Sequence, residues 1–389
     1  IKKKEKYIFE TFININKNLL FLDILNYHKK KNINSLISLK GKYKKNKQLK
    51  FNLISLKEGK NIFLISNLDL NSKFQIISLD TVYLDYINDN EKENQIELKK
   101  YKKDYKIKGK IFDISKLIDK FLNSEDNDRT QSVFSNLNSN IGIKINKIYL
   151  DNISYVNNFL GNIRFNDNKL KNLNLDSNFP NNKKLTLTIK TNKNNEKITT
   201  LFSDFPEPLI KKYKFIKGFE EGVLDFYSIK KNNISNSVLK IANFKVKEVP
   251  FLAKLLTLAS LQGIADLLTG EGIRFTDFDM SFSNKGSLMN IDEIYAIGPA
   301  VSLMMDGYIE KEKLISLRGT LVPATTINRT IAAIPLIGNL LVGKKIGEGV
   351  FGISFKMKGT PEDLKTTVNP IKTLTPRFIT RTLEKLKKN

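Results

Sequence analysis

The chain of 389 residues contains no cysteine, no tryptophan and a single histidine, His28. The lack of cysteine excludes disulfide bonds and thiolate metal sites. One histidine builds neither a histidine-rich metal site nor, by itself, a convincing catalytic triad, so we interpret His28 as a surface residue. No apolar run reaches the ~18–20 residues that a membrane-spanning helix needs, and no signal peptide is recognisable. Because the sequence begins at Ile1, we expect it to be the C-terminal part of a longer protein with any anchor upstream.

Acidic residues are outnumbered in this chain, since 65 lysines and arginines face 40 aspartates and glutamates and give a formal net charge of +25. Most lysines are scattered, and we interpret them as solvated faces of strands. The excess is nevertheless uneven, because residues 1–60 carry 16 lysines against 4 acidic residues. The last 19 residues carry six basic side chains against Glu384, so both ends are candidates for contact with an anionic surface.

Short runs that alternate between apolar and polar residues fill most of the chain, with Asn, Asp and Gly between them. Phe51 and Leu53 share one face of such a run, and Val301, Leu303 and Met305 alternate cleanly in another. This pattern is typical of antiparallel strands and not of βαβ units. The sequence therefore predicts a mainly β fold with a few short helices.

Changes in sequence texture divide the chain into four parts. Two β-rich segments are predicted at 1–122 and 140–249. Between them, the polar and charged stretch 123–139 is interpreted as a linker. Residues 250–389 form a C-terminal region in which longer apolar segments alternate with strands.

Two helices are predicted before the last strands. The first, near 114–122, follows Asp113, which is well placed as its N-cap. The second, 250–269, is apolar nearly all round and must be covered by protein, lipid or a partner. A core helix that plugs a β-body and a lipid-contacting helix both fit this pattern.

The strand that follows this second helix changes phase. Ile273 and Phe275 lie on one face, whereas the apolar positions from Phe278 onward continue one residue out of step. That slip predicts a β-bulge near Thr276.

The candidate chemical motifs of the sequence lack the neighbouring elements or partner residues that their chemistry needs. Residues 347–352 match G-x-G-x-x-G, but an alternating strand follows, where a dinucleotide or kinase site needs other elements. Asp277 and Asp279 face the same side of a strand, yet no third ligand or base accompanies them. Aromatic residues near the N-terminal lysines follow strand alternation, so a nucleic-acid interface is not expected. We predict no catalytic residue, no metal site and no cofactor, and we do not expect an enzyme.

The C-terminal end combines a broken apolar segment with a basic helix. Residues 331–342 are apolar but interrupted, and they are too short to span a bilayer. Residues 374–388 form a basic amphipathic stripe, which suits either an anionic membrane surface or docking on the β-body. The candidate membrane-contact residues of this helix are Arg377, Phe378, Arg381, Leu383, Lys385 and Lys387.

Ordered motifs between Val249 and Arg381 resemble the C-terminal region of the AsmA-like family, in particular its YhdP-related envelope proteins. The motifs are Val249-Pro-Phe-Leu-Ala-Lys-Leu-Leu256, Ala259-Ser-Leu-Gln-Gly-Ile264, Leu268-Thr-Gly-Glu-Gly-Ile-Arg-Phe275, Ala296-Ile-Gly-Pro299, Gly319-Thr-Leu-Val-Pro-Ala324, Ile327-Asn328, Ile334-Pro-Leu-Ile-Gly338, Val368-Asn-Pro370 and Leu374-Thr-Pro376. Lys344 and Lys345 depart from the small residues usual there, and residues 1–100 fit the family only by texture.

This resemblance implies a fold, a location and a function. The expected fold is an elongated, curved antiparallel sheet that forms an apolar groove, with a C-terminal amphipathic helix. The expected location is the periplasm of a diderm bacterium, anchored to the inner membrane and reaching toward the outer membrane. The expected function is bridge-like phospholipid transport, with phospholipids, both membranes and envelope proteins as partners. A structural or assembly factor that carries no lipid is the alternative.

One face of the C-terminal strands supplies the candidate lining of such a groove. The candidates are Phe275, Phe278, Met280, Phe282, Val301, Leu303, Met305, Ile353, Phe355 and Met357. The same residues could instead pack on the helix predicted at 250–269. From the sequence, a charge at Leu303 or Met305 is expected to block lipid capture and leave the fold intact.

Overall fold

The computed structural model describes residues 6–44, 48–118, 133–211, 217–248, 272–323, 353–361 and 363–369. These residues fall into two compact units, which we call unit 1 (residues 1–192) and unit 2 (residues 193–389). Their boundary lies inside the β-rich segment predicted at 140–249. The four-part division derived from sequence texture therefore stays a prediction.

Unit 1 consists almost entirely of strands. They are, in chain order, β1 (Lys6–Asn14), β2 (Leu20–Leu22), β3 (Tyr27–Lys29), β4 (Ser35–Lys44), β5 (Gln48–Glu58), β6 (Asn61–Leu70), β7 (Ile76–Ser78), β8 (Thr81–Ile87), β9 (Glu93–Tyr101), β10 (Asp104–Asp113), β11 (Ser139–Tyr149), β12 (Tyr155–Asn166), β13 (Lys169–Asn178) and β14 (Lys184–Thr191). A 3-10 turn, Asp23–Leu25, separates β2 from β3, and residues 115–118 are helical. The Asp113 carboxylate accepts a hydrogen bond from the Ser115 N–H at 2.9 Å, as expected of an N-cap.

The paired strands of unit 1 form one ladder in the order β1–β4–β5–β6–β8–β9–β10–β11–β12–β13–β14. Each of these pairs is antiparallel except β10 and β11, which run parallel. Two parallel neighbours cannot be joined by a tight turn. The end of β10 and the start of β11 therefore lie at opposite edges of the ladder.

Residues 15–34, which we call the insertion, fold over the apolar face of this ladder between β1 and β4. Tyr27 is only 2% exposed and packs on Phe63, with ring centroids 4.7 Å apart. The Tyr86 hydroxyl donates a hydrogen bond to the Leu25 carbonyl at 2.9 Å. Burial raises the pKa of the Tyr27 and Tyr86 hydroxyls well above the ordinary tyrosine value, so both remain neutral.

Lys29 is the largest fully buried side chain of the described residues, with 0% exposure. Its ammonium group donates hydrogen bonds to the carbonyls of Asn16, Asn18 and Lys30, at 3.2, 2.9 and 2.7 Å. A buried ammonium group is tolerated only when its donors are satisfied in this way. Lys29 therefore ties together the two sides of the insertion.

Replacement of Lys29 by methionine is expected to loosen the insertion. Methionine has a similar length but leaves three carbonyl groups without their donor, which costs about 1–3 kcal/mol for each group that stays buried. Hydrogen exchange of the amides in residues 15–34 should accelerate, while exchange in β12 and β13 stays slow. Lys30→Met is the matched control, since Lys30 is exposed. Equal exchange rates in both variants would contradict the assigned role of Lys29.

Unit 2, taken by itself, is also built of strands, several of which are longer than those of unit 1. They are β15 (Lys197–Ser203), β16 (Lys217–Lys231), β17 (Ile234–Glu248), β18 (Ile273–Lys285), β19 (Leu288–Ile297), β20 (Val301–Glu310), β21 (Leu314–Pro323), β22 (Ile353–Gly359) and β23 (Leu364–Asn369). Each strand pairs antiparallel with the next in chain order. A short α-helix, Glu207–Ile210, lies between β15 and β16.

The bulge predicted near Thr276 is wrong. The register between β17 and β18 is continuous from its first pair to its last, so β18 carries no extra residue there. The irregular backbone lies on β17 instead, at Asn243, whose φ is 53°. Next to it, the Phe244 ring stacks on Phe275 at 5.3 Å and meets Phe278 edge-on at 6.3 Å. Phe275 and Phe278 thus reach one cluster although the register places no extra residue on β18.

The predicted fold class, mainly β with antiparallel strands and few short helices, is confirmed. The apolar groove and its elongated, curved form stay predictions. Four predicted features lie outside the described residues, namely the helices at 250–269 and 374–388, the apolar segment 331–342 and the glycine motif 347–352. The six candidate membrane-contact residues belong to the second of these helices.

Candidate apolar binding face

Apolar side chains of unit 2 line up across the strands in consecutive rows on one face, which we call the floor of unit 2. Residues that face each other in a ladder lie about 5 Å apart, so a row of apolar partners makes a continuous strip. The central row crosses nine strands through Leu201, Phe226, Leu239, Met280, Ile294, Met305, Gly319, Phe355 and Val368. A second row lies beside it and runs through Leu224, Ile241, Phe278, Ala296, Leu303 and Leu321.

The lining candidates predicted from the sequence fall on this floor. Nine of their side chains belong to or pack against one hydrophobic cluster: Phe275, Phe278, Met280, Phe282, Val301, Leu303, Met305, Phe355 and Met357. The tenth candidate, Ile353, pairs with Leu321 in the backbone register and so continues the second row. The structure thus places residues of three separate strands in adjacent rows, as the alternation predicted.

A glycine in the central row does not interrupt it. Gly319 lies between Met305 and Phe355, and a β-carbon built on it would come within 2.7 Å of the Phe355 ring and 2.8 Å of the Met305 side chain. These neighbours therefore cover the glycine backbone. The strip stays apolar at the one position where it has no side chain of its own.

Burial divides the floor of unit 2 into two parts. On β19 to β22 the floor side chains are buried, with Leu303 at 5%, Met305 at 8% and Phe355 at 3% exposure. On β16 to β18 the central-row side chains Phe226, Leu239 and Met280 are half-buried, whereas Leu224 and Ile241 of the second row are buried. Only this half-buried stretch of the central row offers apolar surface that a ligand can reach without displacing protein.

Unit 1 carries an equivalent strip, which we call the floor of unit 1. Its central row crosses ten strands through Leu39, Ile54, Ile65, Val82, Leu98, Ile107, Ile143, Gly161, Leu175 and Leu187. Every residue in this row is half-buried. At Gly161 the gap is again filled, since a β-carbon there would come within 2.7 Å of the Leu175 side chain. At about 4.8 Å per strand, the strip extends for roughly 40 Å along the ladder.

The opposite face of both ladders carries polar and charged rows, with one small apolar cluster of Met304, Val322 and Tyr295 in unit 2. In unit 2, Arg318 pairs with Asp306 at 2.9 Å, and Lys240 lies 3.8 Å from Asp279. The row beside the floor of unit 1 runs through Ser66, Thr81, Lys99, Lys106, Gly142, Asn162, Asn174 and Thr188. Each sheet therefore presents one mainly apolar face and one face with polar and charged rows, an arrangement that suits a surface with apolar ligands on one side.

The described residues show no arrangement of side chains that is typical of a catalytic or metal site. They contain no group of three or more His, Cys, Asp and Glu side chains that could hold a metal ion. His28 lies between Asp23, 3.1 Å from its Nε2, and Asp89, so its partners are structural. The Arg274 guanidinium hydrogen-bonds Glu221 at 2.9 Å and lowers the pKa of that carboxyl group, which marks a surface ion pair.

Sequence reasoning missed the floor of unit 1 and the insertion that covers part of it. Alternation identifies which residues of one strand share a face, but it does not identify the neighbouring strand. The row from Ile65 to Val82 depends on β8 pairing with β6 beyond the short β7, a relation that no local pattern carries. The buried Lys29 looks no different in sequence from its exposed neighbours Lys30 and Lys31.

Within the described residues, no helix is both long and apolar enough to cross a bilayer. Comparison of the chain with known protein families, with characterised proteins and with solved structures found no match.

Proposed function

We propose that this chain carries phospholipids on the apolar floors of its sheets, as a segment of a bridge between the inner and outer membranes of a diderm bacterium. The observation that carries the proposal is the half-buried apolar row that crosses ten strands of unit 1 without a charged side chain. A soluble domain that buries all its apolar residues in a core has no use for such a strip.

The physical role of the strip is to keep acyl chains out of water. Each CH₂ group removed from water contributes roughly 0.8 kcal/mol, so a two-chain lipid meets a high barrier when it leaves a bilayer unassisted. An apolar strip several strands long lowers that barrier because part of the chain is always covered. Sliding of this kind uses no cofactor and no catalytic residue.

The proposed location follows from the proposed phospholipid carriage. A phospholipid carrier between two membranes works in the periplasm, held to the inner membrane by a segment upstream of residue 1. The resemblance of residues 249–381 to the AsmA-like family supports this assignment. The basic helix predicted at 374–388 would contact the receiving membrane.

Photo-crosslinking tests the proposal at matched neighbouring positions. A benzophenone amino acid at Val82 or Met280, both on a floor, is expected to capture phospholipid in cells. The same probe at Tyr83 or Ser281, one residue away on the opposite face, should not capture lipid. All four positions are half-buried, so accessibility is comparable. Adducts of equal yield on both faces, or on neither, would refute lipid carriage by the floors.

A structural or assembly factor without lipid is the second candidate. The deep burial of Leu303, Met305 and Phe355 favours it locally, because these floor residues are already covered by protein. Mass spectrometry of the purified chain separates the two functions. Phospholipid that co-purifies in a fixed ratio supports carriage, whereas a lipid-free, folded chain supports the assembly role.

A further inference from the structure

The two edges of the unit 1 ladder differ in charge and in cover. The segments at one edge, which we call the basic rim, are 42–44, 48–50, 69–80, 99–106, 166–171 and 188–191. They carry 12 lysines against 4 carboxylates. The segments at the other edge are 15–34, 57–62, 85–93, 110–116, 147–155 and 176–184, with 12 lysines against 9 carboxylates. The excess positive charge therefore belongs to one edge of the floor.

The second edge, which has the smaller excess of positive charge, is also the edge that the insertion covers. The insertion folds over the floor there, and its Tyr27 packs on Leu56, Phe63 and Leu84 near the ends of their strands. The Asp89 N–H donates a hydrogen bond to the Asn26 carbonyl at 2.9 Å, which fastens the insertion to the turn between β8 and β9. A lipid on this part of the floor would have its polar end directed away from the insertion, toward the basic rim.

The turn between β9 and β10 is the densest part of the basic rim, with five lysines in residues 99–106. Its single carboxylate, Asp104, is already engaged, because it accepts a hydrogen bond from the Asn140 N–H at 2.8 Å. Lys102 and Lys103 occupy the tip of the turn, and both are exposed. Neither has an ion-pair partner within the described part of the chain.

Lys100 connects this turn with the floor. It follows Leu98 by two residues on β9 and lies opposite the buried Tyr105, so it shares the floor face. Its ammonium group donates a hydrogen bond to the Ser78 hydroxyl at 2.7 Å, which holds it at the end of the apolar row. An open depression lies beside it, lined by Asp80, Thr81, Lys99, Lys100, Tyr101 and Lys102.

Tyr101 lies at the same turn but on the face opposite the floor, together with Lys99 and Lys106. It is 47% exposed, and the Lys106 ammonium group lies 4.8 Å from its ring centroid. On the floor side the rim thus offers the Lys100 ammonium group, the Ser78 hydroxyl group and the adjoining apolar row, with Lys102 and Lys103 at the tip of the turn.

We infer that the basic rim at the β9–β10 turn binds the anionic headgroup of a phospholipid whose acyl chains lie on the floor of unit 1. The inference rests on the proposed function and narrows it to anionic lipids, such as phosphatidylglycerol. Charge complementarity carries it, since Lys102 and Lys103, which have no ion-pair partner among the described residues, border an apolar strip whose other edge is covered and has a smaller charge excess.

The test is a competition between two lipids of the same chain length. The purified chain is incubated with vesicles of equal phosphatidylglycerol and phosphatidylcholine content, re-isolated, and its bound lipid is quantified by mass spectrometry. The wild-type chain should hold about fivefold more phosphatidylglycerol, given the strength of exposed charge pairs. This preference should shrink at high salt, because the lysines are exposed.

Charge reversal at the turn should remove the preference and leave the bound total nearly unchanged. The variant is K102E/K103E, and its matched control is K57E/K60E, the same charge change at two exposed positions of the other edge. If the reversal impairs folding, K102N/K103Q gives a milder test, since asparagine tolerates the φ of 58° at position 102.

The outcomes separate the two claims. A wild-type chain that binds both lipids equally, or a K102E/K103E variant that keeps the preference, overturns the inference while lipid carriage stands. An equal loss of the phosphatidylglycerol preference in K57E/K60E also overturns the inference. The preference would then depend on the net charge of the chain and not on the basic rim. A folded wild-type chain that holds neither lipid overturns the proposed function itself.

Discussion

Replacement of Leu303 by aspartate is expected to unfold unit 2. Leu303 is 5% exposed and lies between Ala296 and Leu321 in the second floor row, so the carboxylate would be buried without a partner. An uncompensated charge at a buried site costs about 3–5 kcal/mol, a large part of the stability of an ordinary domain. Urea denaturation followed by circular dichroism should show a transition at much lower urea concentration, or none.

Two controls separate the charge from the loss of side-chain volume. Leu303→Met conserves volume and should cost less than about 1.5 kcal/mol. Tyr308→Asp adds the same charge to the same strand at a 37% exposed position and should have little effect. A stable, folded Leu303→Asp chain would show that this part of the floor is open to water. This expectation reverses the one drawn from the sequence, that a charge here spares the fold, because burial was not visible in the alternation.

Replacement of Val82 by aspartate is expected to lower the phospholipid bound to the chain by about tenfold while the chain stays folded. Val82 is half-buried in the middle of the unit 1 row, between Ile65 and Leu98. The carboxylate can hydrate there, so it costs less stability than at Leu303, but an acyl chain that passes must strip its water. A tenfold effect corresponds to about 1.4 kcal/mol, a modest part of that penalty.

The control for Val82→Asp is Tyr83→Asp, which places the same charge on the opposite face of the same strand. Lipid content is measured by mass spectrometry after purification, with circular dichroism as the check on folding. If Tyr83→Asp lowers the lipid content as much as Val82→Asp, the effect comes from net charge and lipid does not travel on the floor. If neither variant changes it, the row is not the carrier.

The two variants illustrate which features of the fold and of the floors can be predicted from the sequence. Alternation at Val301, Leu303 and Met305 correctly predicted the strand and the shared face, because the period of two is a local property. It could not predict that Leu303 is buried and Val82 half-buried. Burial depends on what packs over a strand, which the alternation within that strand does not report.

The same limit explains the misplaced bulge. The phase slip between Phe275 and Phe278 is real, but it adds no residue to β18, and left-handed residues lie beside it on the neighbouring strands, at Asn243, Glu221 and Gly222. A single strand shows that its pattern changes, whereas the register of two strands shows which one deforms. For the insertion no repeating pattern existed at all, since Tyr27 and Lys29 are buried by individual contacts with side chains and carbonyls.

The parallel contact between β10 and β11 has a consequence for how unit 1 assembles during synthesis. The antiparallel pairs from β4 to β10 and from β11 to β14 join strands close in sequence, so each can form soon after both strands leave the ribosome. The β10–β11 pair must first close a loop of 25 residues, at an entropic cost of about 3 kcal/mol. Growth of the ladder should therefore pause at this junction, which makes β10 the transient exposed edge that a chaperone would have to protect.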